Sequence, residues 1–147
     1  MNAAWPTVLH VEDNLGDKEL LQHACQAASV PCNLQWVEDG QAAMDYLAGI
    51  GPCGDRDKFP LPSLMLLDLK MPRKNGFEVL EWLRQQKDLK WLPVIVFTAS
   101  DSQKDIRRAF ELGANSLVVK PTAYRDLVEY VKGFYRYWFE LNQRPGP

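Results

Sequence analysis

The chain has 147 residues, 46% hydrophobic and 24% charged, with a net charge of −2 at pH 7. That suits a single domain with a full core, expected over about residues 7–142 with a short flexible tail at 143–147, and it offers no basic footprint for nucleic acid. No apolar run approaches a membrane span and no secretory signal opens the chain, so a cytoplasmic protein is expected.

Thr7-Val8-Leu9-His10-Val11 is a β-rich run closed by Glu12-Asp13. A helix follows, capped by Asp13 or Asn14, with Leu21, Ala24, Cys25 and Ala28 on one face. Leu34 to Val37 is a second strand, and Asp39-Gly40 turns into a short helix carrying Ala43, Met44 and Leu47. From Gly49 to Pro62, glycines and prolines punctuate a connection longer than a compact domain usually needs; a tolerated insertion is the plainer reading, a binding loop the other. Leu64-Met65-Leu66-Leu67 is a third strand, apolar throughout as a parallel strand buried on both faces should be, and it runs into Asp68. Pro72 ends that strand and Asn75-Gly76 turns into a helix bearing Phe77, Val79, Leu80, Trp82 and Leu83. Pro93 to Thr98 is the fourth strand. The next helix should bury Ile106, Ala109 and Phe110 and stop at Gly113. Ser116 to Val119 is the fifth strand, leading to Lys120-Pro121, and a last helix runs from about Thr122 to Asn142. Cys25, Cys32 and Cys53 lack a zinc spacing and read as reduced thiols, Cys25 in a core and Cys53 the more reactive.

Five βα units without a repeat imply an α/β fold: a doubly wound, five-stranded parallel sheet in the order 2-1-3-4-5. Its crevice lies beyond the carboxyl ends of the strands, at the β1/β3 switch point. Glu12 and Asp13 end strand one, Asp68 strand three, Thr98 strand four and Lys120 strand five, so all should face one crevice. Each alone has a bland reading, as a helix cap, a strand threonine or a solvated lysine; together, at four strand ends, they do not. Three acids in one hollow repel one another unless a cation neutralises them, and an all-oxygen set suits Mg²⁺, with Mn²⁺ as a substitute. With a lysine and a hydroxyl opposite, these parts describe a phosphoryl site with a carboxylate nucleophile.

The motifs Val11-Glu12-Asp13-Asn14, Leu67-Asp68-Leu69-Lys70-Met71-Pro72 with Gly76, Phe97-Thr98-Ala99-Ser100 and Val119-Lys120-Pro121 resemble the receiver domain of two-component response regulators, a flavodoxin-like fold. The resemblance covers about Thr7 to Lys132 and is nearest to the single-domain regulators paired with cyanobacterial and bacterial phytochromes. It implies that Asp68 accepts phosphate from a sensor histidine kinase, of phytochrome type in the nearer relatives. It implies that Asp13 ligates Mg²⁺ directly, Glu12 through water and Lys70 through its backbone carbonyl. Thr98 would be the switch hydroxyl, Lys120 the partner of the acceptor and then of its phosphate, with a cis Lys120–Pro121 bond. Such a protein is no enzyme beyond its own phosphorylation and dephosphorylation. Leu117 departs from the family, which often has a switch aromatic there, so signal should pass instead through the loop after Thr98 and the helix beyond it.

In the last helix, Leu127, Val131, Phe134, Trp138 and Leu141 form the expected core stripe. Tyr124, Val128, Tyr135 and Phe139 form a second, offset stripe, with Tyr130 and Tyr137 adding rings. Aromatics favour interfaces, so a homodimer through this helix, together with the fifth strand or fourth helix, is expected. The chain leaves no residues for an output domain, so output should come from docking to a downstream protein. Three other readings compete. A flavodoxin-like cofactor carrier is disfavoured because Glu12-Asp13 would repel a bound phosphate. An aspartyl phosphatase needs an acid where Lys70 stands. A phosphorylation-independent binding module would not need the acids, Thr98 and Lys120 together.

Overall fold

The computed structural model describes residues 2–145 and has the expected architecture. Five strands, β1 (Thr7–Val11), β2 (Asn33–Val37), β3 (Leu64–Leu67), β4 (Val94–Thr98) and β5 (Ser116–Val119), form one sheet in the order β2-β1-β3-β4-β5. All pairings are parallel, with Val8 opposite Leu34 and Leu64, Leu66 opposite Ile95, and Val96 opposite Leu117. The helices are α1 (Leu15–Ala27), α2 (Gly40–Ala48), α3 (Gly76–Arg84), α4 (Gln103–Glu111) and α5 (Tyr124–Tyr135). No described helix is long and apolar enough to cross a membrane.

Alternation along β1 and β3 feeds two cores. Leu9, Val11, Met65 and Leu67 face α2 and α3, while Val8, Leu64 and Leu66 face α1 and α5. Four of the five α-helices start on residues that their chemistry selects: Asn14, Asp39, Asn75 and Ser102 are N-caps, each accepting from a backbone N–H three residues on, while α5 starts at Ala123 without a side-chain cap. Gly113 follows α4 with φ 104°, a conformation open to glycine. The cysteines are free, Cys25 and Cys32 buried and Cys53 partly so.

The 49–62 connection is held rather than slack. It contains a 3₁₀ turn, Gly51–Gly54. Arg56 donates from Nη1 to the carbonyls of Tyr46 and Phe59, at 2.9 and 3.1 Å, and from Nη2 to that of Leu47 at 3.0 Å. It thereby satisfies the Leu47 carbonyl at the end of α2 and adds a second bond to that of Tyr46, which also accepts from the Gly49 N–H at 3.2 Å. The Tyr46 hydroxyl donates to the Pro60 carbonyl at 2.7 Å.

Five expectations need correction. Phe110 is exposed and Ile106 half-buried; of the three apolar residues assigned to α4, only Ala109 is fully buried. The small Ala109 makes the close approach to the sheet, and its larger neighbour falls on the rim. The α5 stripe holds through Leu127, Val131 and Phe134, but Leu141 is 52% exposed. Residues Arg136–Leu141 are wound as a π-helix, whose wider turn rotates the stripe off the core. Tyr130 packs inward, its ring stacked on Phe97 with centroids 5.5 Å apart. Finally, every peptide bond among the described residues is trans, Lys120–Pro121 included, the lower-energy form even before proline. Arg144, expected in the frayed end, donates from Nη1 to the Ser63 carbonyl at 2.7 Å; Gly146 and Pro147 lie outside the described residues.

Candidate phosphoryl site

Glu12, Asp68 and Lys120 each sit one step past a strand, held there by one more ladder hydrogen bond, while Thr98 is the last residue of β4. The backbone N–H of Glu12 donates to the Val37 carbonyl at 3.0 Å, that of Asp68 to Val11 at 3.1 Å, and that of Lys120 to Thr98 at 2.8 Å. The sheet therefore fixes the relative positions of the side chains. Carboxylate oxygens of Glu12, Asp13 and Asp68 lie within 4.8 Å of one another. Glu12 and Asp68 are buried and Asp13 is exposed. Such an all-oxygen set fits a hard divalent cation. Asp68, Lys70, Thr98, Ala99 and Ser100 line an adjoining hollow of about 330 Å³.

Lys120 reaches in from the far side. Its Nζ donates to Glu12 Oε1 at 2.6 Å, to Asp17 Oδ2 at 2.8 Å and to Asp68 Oδ2 at 3.1 Å. Asp68 Oδ1 accepts from the Leu69 N–H at 2.7 Å. Burial draws the Lys120 pKa down, but its bonds to Asp17 and Glu12 and the charge of Asp68 outweigh this and leave it raised. Glu12 moves from 4.5 to about 7, raised chiefly by burial and further by the charge of Asp68, against the pull of Lys120. Thr98 is 1% exposed, and its Oγ1 accepts from the Ser100 N–H at 3.3 Å. Lys70 turns its ammonium outward to Asp105, 3.6 Å away.

The loop after β3 depends on two close approaches. A Cβ on Gly76 would stand 2.3 Å from the Asp68 carbonyl oxygen, and one on Gly40 would stand 2.0 Å from that of Lys74. The Gly40 N–H donates to the same Lys74 carbonyl at 3.0 Å, and Arg73 Nε pairs with Asp39 at 3.0 Å.

Sequence reasoning missed three residues here. Asp17 binds Lys120, yet in sequence it reads as an ordinary first-turn acid. Trp36 donates from Nε1 to the Glu12 carbonyl at 2.8 Å. His10, 3% exposed, sits beneath the acids; burial first, then the charge of Lys120, lowers its pKa to about 3 and keeps it neutral. Leu117 is half-buried against the α2/α3 core. The candidate interface residues divide: Tyr124 is 44% exposed, while Val128, Tyr135 and Phe139 pack partly against the α1/α5 core.

Residues 8–132 match the response regulator receiver domain family. The chain belongs to that family. The receiver is 37% identical to a probable methanogenesis regulatory protein, FilR2, of Methanothrix harundinacea over 95% of this chain and 88% of that one. It superposes on the response regulator RPA3017 of R. palustris red light signaling with a TM-score of 0.91, at 37% identity, covering 97% and 99% of the two chains. On the phosphorylated cyanobacterial phytochrome response regulator RcpA the TM-score is 0.88, at 34% identity, covering 97% and 100%. A Mn²⁺-bound form of the regulator Rcp1 superposes with a TM-score of 0.82, at 35% identity, covering 96% of this chain and 99% of that one. The acidic cluster of this chain has the all-oxygen donor set that a divalent cation takes. This receiver is thus related to phytochrome response regulators.

Proposed function

We propose that the receiver accepts a phosphoryl group on Asp68 from a histidine of a sensor kinase and signals by docking, in its phosphorylated form, to a downstream protein in the cytoplasm. The observation that carries this is the Lys120 ammonium bonded to Glu12 and Asp68 beside the hollow that Thr98 lines. A carboxylate oxygen of Asp68 bonds to phosphorus as the phosphorus–nitrogen bond of the donor breaks, and the leaving imidazole keeps the electron pair and takes up a proton. A bound Mg²⁺, or Mn²⁺ in its place, would supply positive charge beside the transferred oxygens. Asp13, Asp68 and the Lys70 carbonyl would hold it, with Glu12 acting through water. Lys120 neutralises the oxygens on the opposite side, and the Thr98 hydroxyl donates to one of them. No other catalysis is assigned beyond loss of the same phosphate.

The relatedness to RcpA and RPA3017 favours a phytochrome-type kinase as donor. Incubation with candidate histidine kinases tests the reading: wild type should gain acid-labile phosphate and Asp68→Asn should not. Undiminished labelling of folded Asp68→Asn, or a rate unchanged by a chelator, would refute it. We also assign homodimerisation to the last helix, through the face of Tyr124, Val128, Tyr135 and Phe139, beside which Tyr137 and Leu141 are 50% and 52% exposed. Sedimentation at micromolar concentration should give a dimer; a strict monomer with and without an acyl-phosphate mimic would remove that assignment.

A further inference from the structure

An ammonium has three N–H donors. Those of Lys120 meet three carboxylates, and the bond to Asp68, at 3.1 Å, is the longest. Asp17 is the third residue of α1. An acid at that position commonly serves its own helix, bonding back to the N–H of the capping residue. Here the Asn14 N–H donates to Glu12 Oε2 at 3.1 Å, and the Asp17 carboxylate goes to Lys120. Its purpose lies across the crevice, not in the cap.

We propose that Asp17 is a positioning residue that holds the Lys120 ammonium in competition with the phosphoryl group on Asp68, and so sets how tightly the site grips that group. The inference rests on Asp68 being the acceptor. A phosphoryl group on Asp68 inherits the Lys120 hydrogen that Asp68 now holds at 3.1 Å, and it can draw the ammonium closer or take a second hydrogen only if Glu12 or Asp17 gives up its share. The Glu12 side chain is 1% exposed and has no water to turn to. The Asp17 side chain is 40% exposed and can be rehydrated at little cost. Asp17 is therefore the partner that lets go, and its hold on the lysine opposes the arriving anion. Because Asp17 belongs to α1 and Lys120 follows β5, release also unties the start of that helix from the end of that strand.

The test measures the affinity of beryllofluoride, with Mg²⁺, for wild type, Asp17→Asn, Lys120→Met and the double variant. Asp17→Asn should bind about three- to tenfold more tightly, the worth of one partly exposed charged hydrogen bond. In the Lys120→Met background the same change should alter affinity less than about twofold, since the two residues act as one unit. Deleting a negative charge near any anion also raises affinity, but that effect persists without the lysine. An equal gain in both backgrounds, or none in the first, overturns the proposal. Thermal unfolding of the four proteins in chelator supplies a readout free of metal and mimic: the two substitutions should shift Tm non-additively, and additive shifts overturn the contact. Failure of wild type to take up beryllofluoride refutes the acceptor reading instead, while the thermal cycle still decides between Asp17 and Lys120.

Discussion

Replacing Glu12 with glutamine should change how stability follows pH. The Glu12 pKa rises from 4.5 to about 7 on folding, chiefly through burial. Between those values the native protein holds a proton that the unfolded chain has released. The stability contributed by this group is therefore full below about pH 4.5 and is lost as pH rises towards 7. At about 1.4 kcal/mol per pH unit, the loss amounts to about 3 kcal/mol. Glu12→Gln lacks the titration, so the unfolding free energy of the variant minus that of wild type should climb by that amount from pH 4.5 to 7 and then level off. Urea unfolding in chelator, followed by circular dichroism from pH 4.5 to 8.5, measures the difference directly. Other titrating groups are common to both proteins and largely cancel. A difference that stays flat, or that falls with pH, refutes the assignment of a raised pKa to Glu12. Divalent-cation affinity of wild type should rise over the same interval, since proton and cation compete for the carboxylates.

Gly76→Ala would drive a Cβ to 2.3 Å from the Asp68 carbonyl oxygen; it should cost about 1–3 kcal/mol in urea unfolding and displace the loop that follows Asp68. Arg84 donates to the carbonyls of Lys90, Leu92 and Gly113 and to Asn115 Oδ1, tying the end of α3 to the connections before β4 and β5. Arg84→Ala should lower the unfolding free energy by about 2–3 kcal/mol, and Arg84→Lys should recover less than half, because a lysine lacks the planar fork.

The strand ends were legible because parallel strands announce themselves: a run such as Leu64-Met65-Leu66-Leu67 that stops at a charge fixes both the strand and the exit point of that charge. Three such stops and the hydroxyl of Thr98 at the end of a fourth run predicted one hollow, and the sheet brings Glu12, Asp68, Thr98 and Lys120 to it. Asp17 was not legible, because its partner is 103 residues away and its position in the first turn has a sufficient local explanation. Trp36 is hidden for a related reason: a β2 residue gives no sign that its indole reaches a carbonyl beyond β1. The end of the last helix failed differently. Periodicity assumes one winding, and the π segment changes the winding without any proline or glycine to mark it. Phe110 shows a third limit, since an i, i+3, i+4 set states which side of a helix is apolar but not how deeply a small residue lets it sink.

The connection that follows the acceptor is bolted to α2 twice, by Gly40 against Lys74 and by Asp39 against Arg73. Under the proposed phosphorylation of Asp68, a clamp on that flank would leave little slack there. The displacement would be taken up on the opposite flank, where Ser100 meets α4 through its bond to Asp105 at 2.7 Å. Rigidity on one bank of the crevice would thus turn the response toward the other.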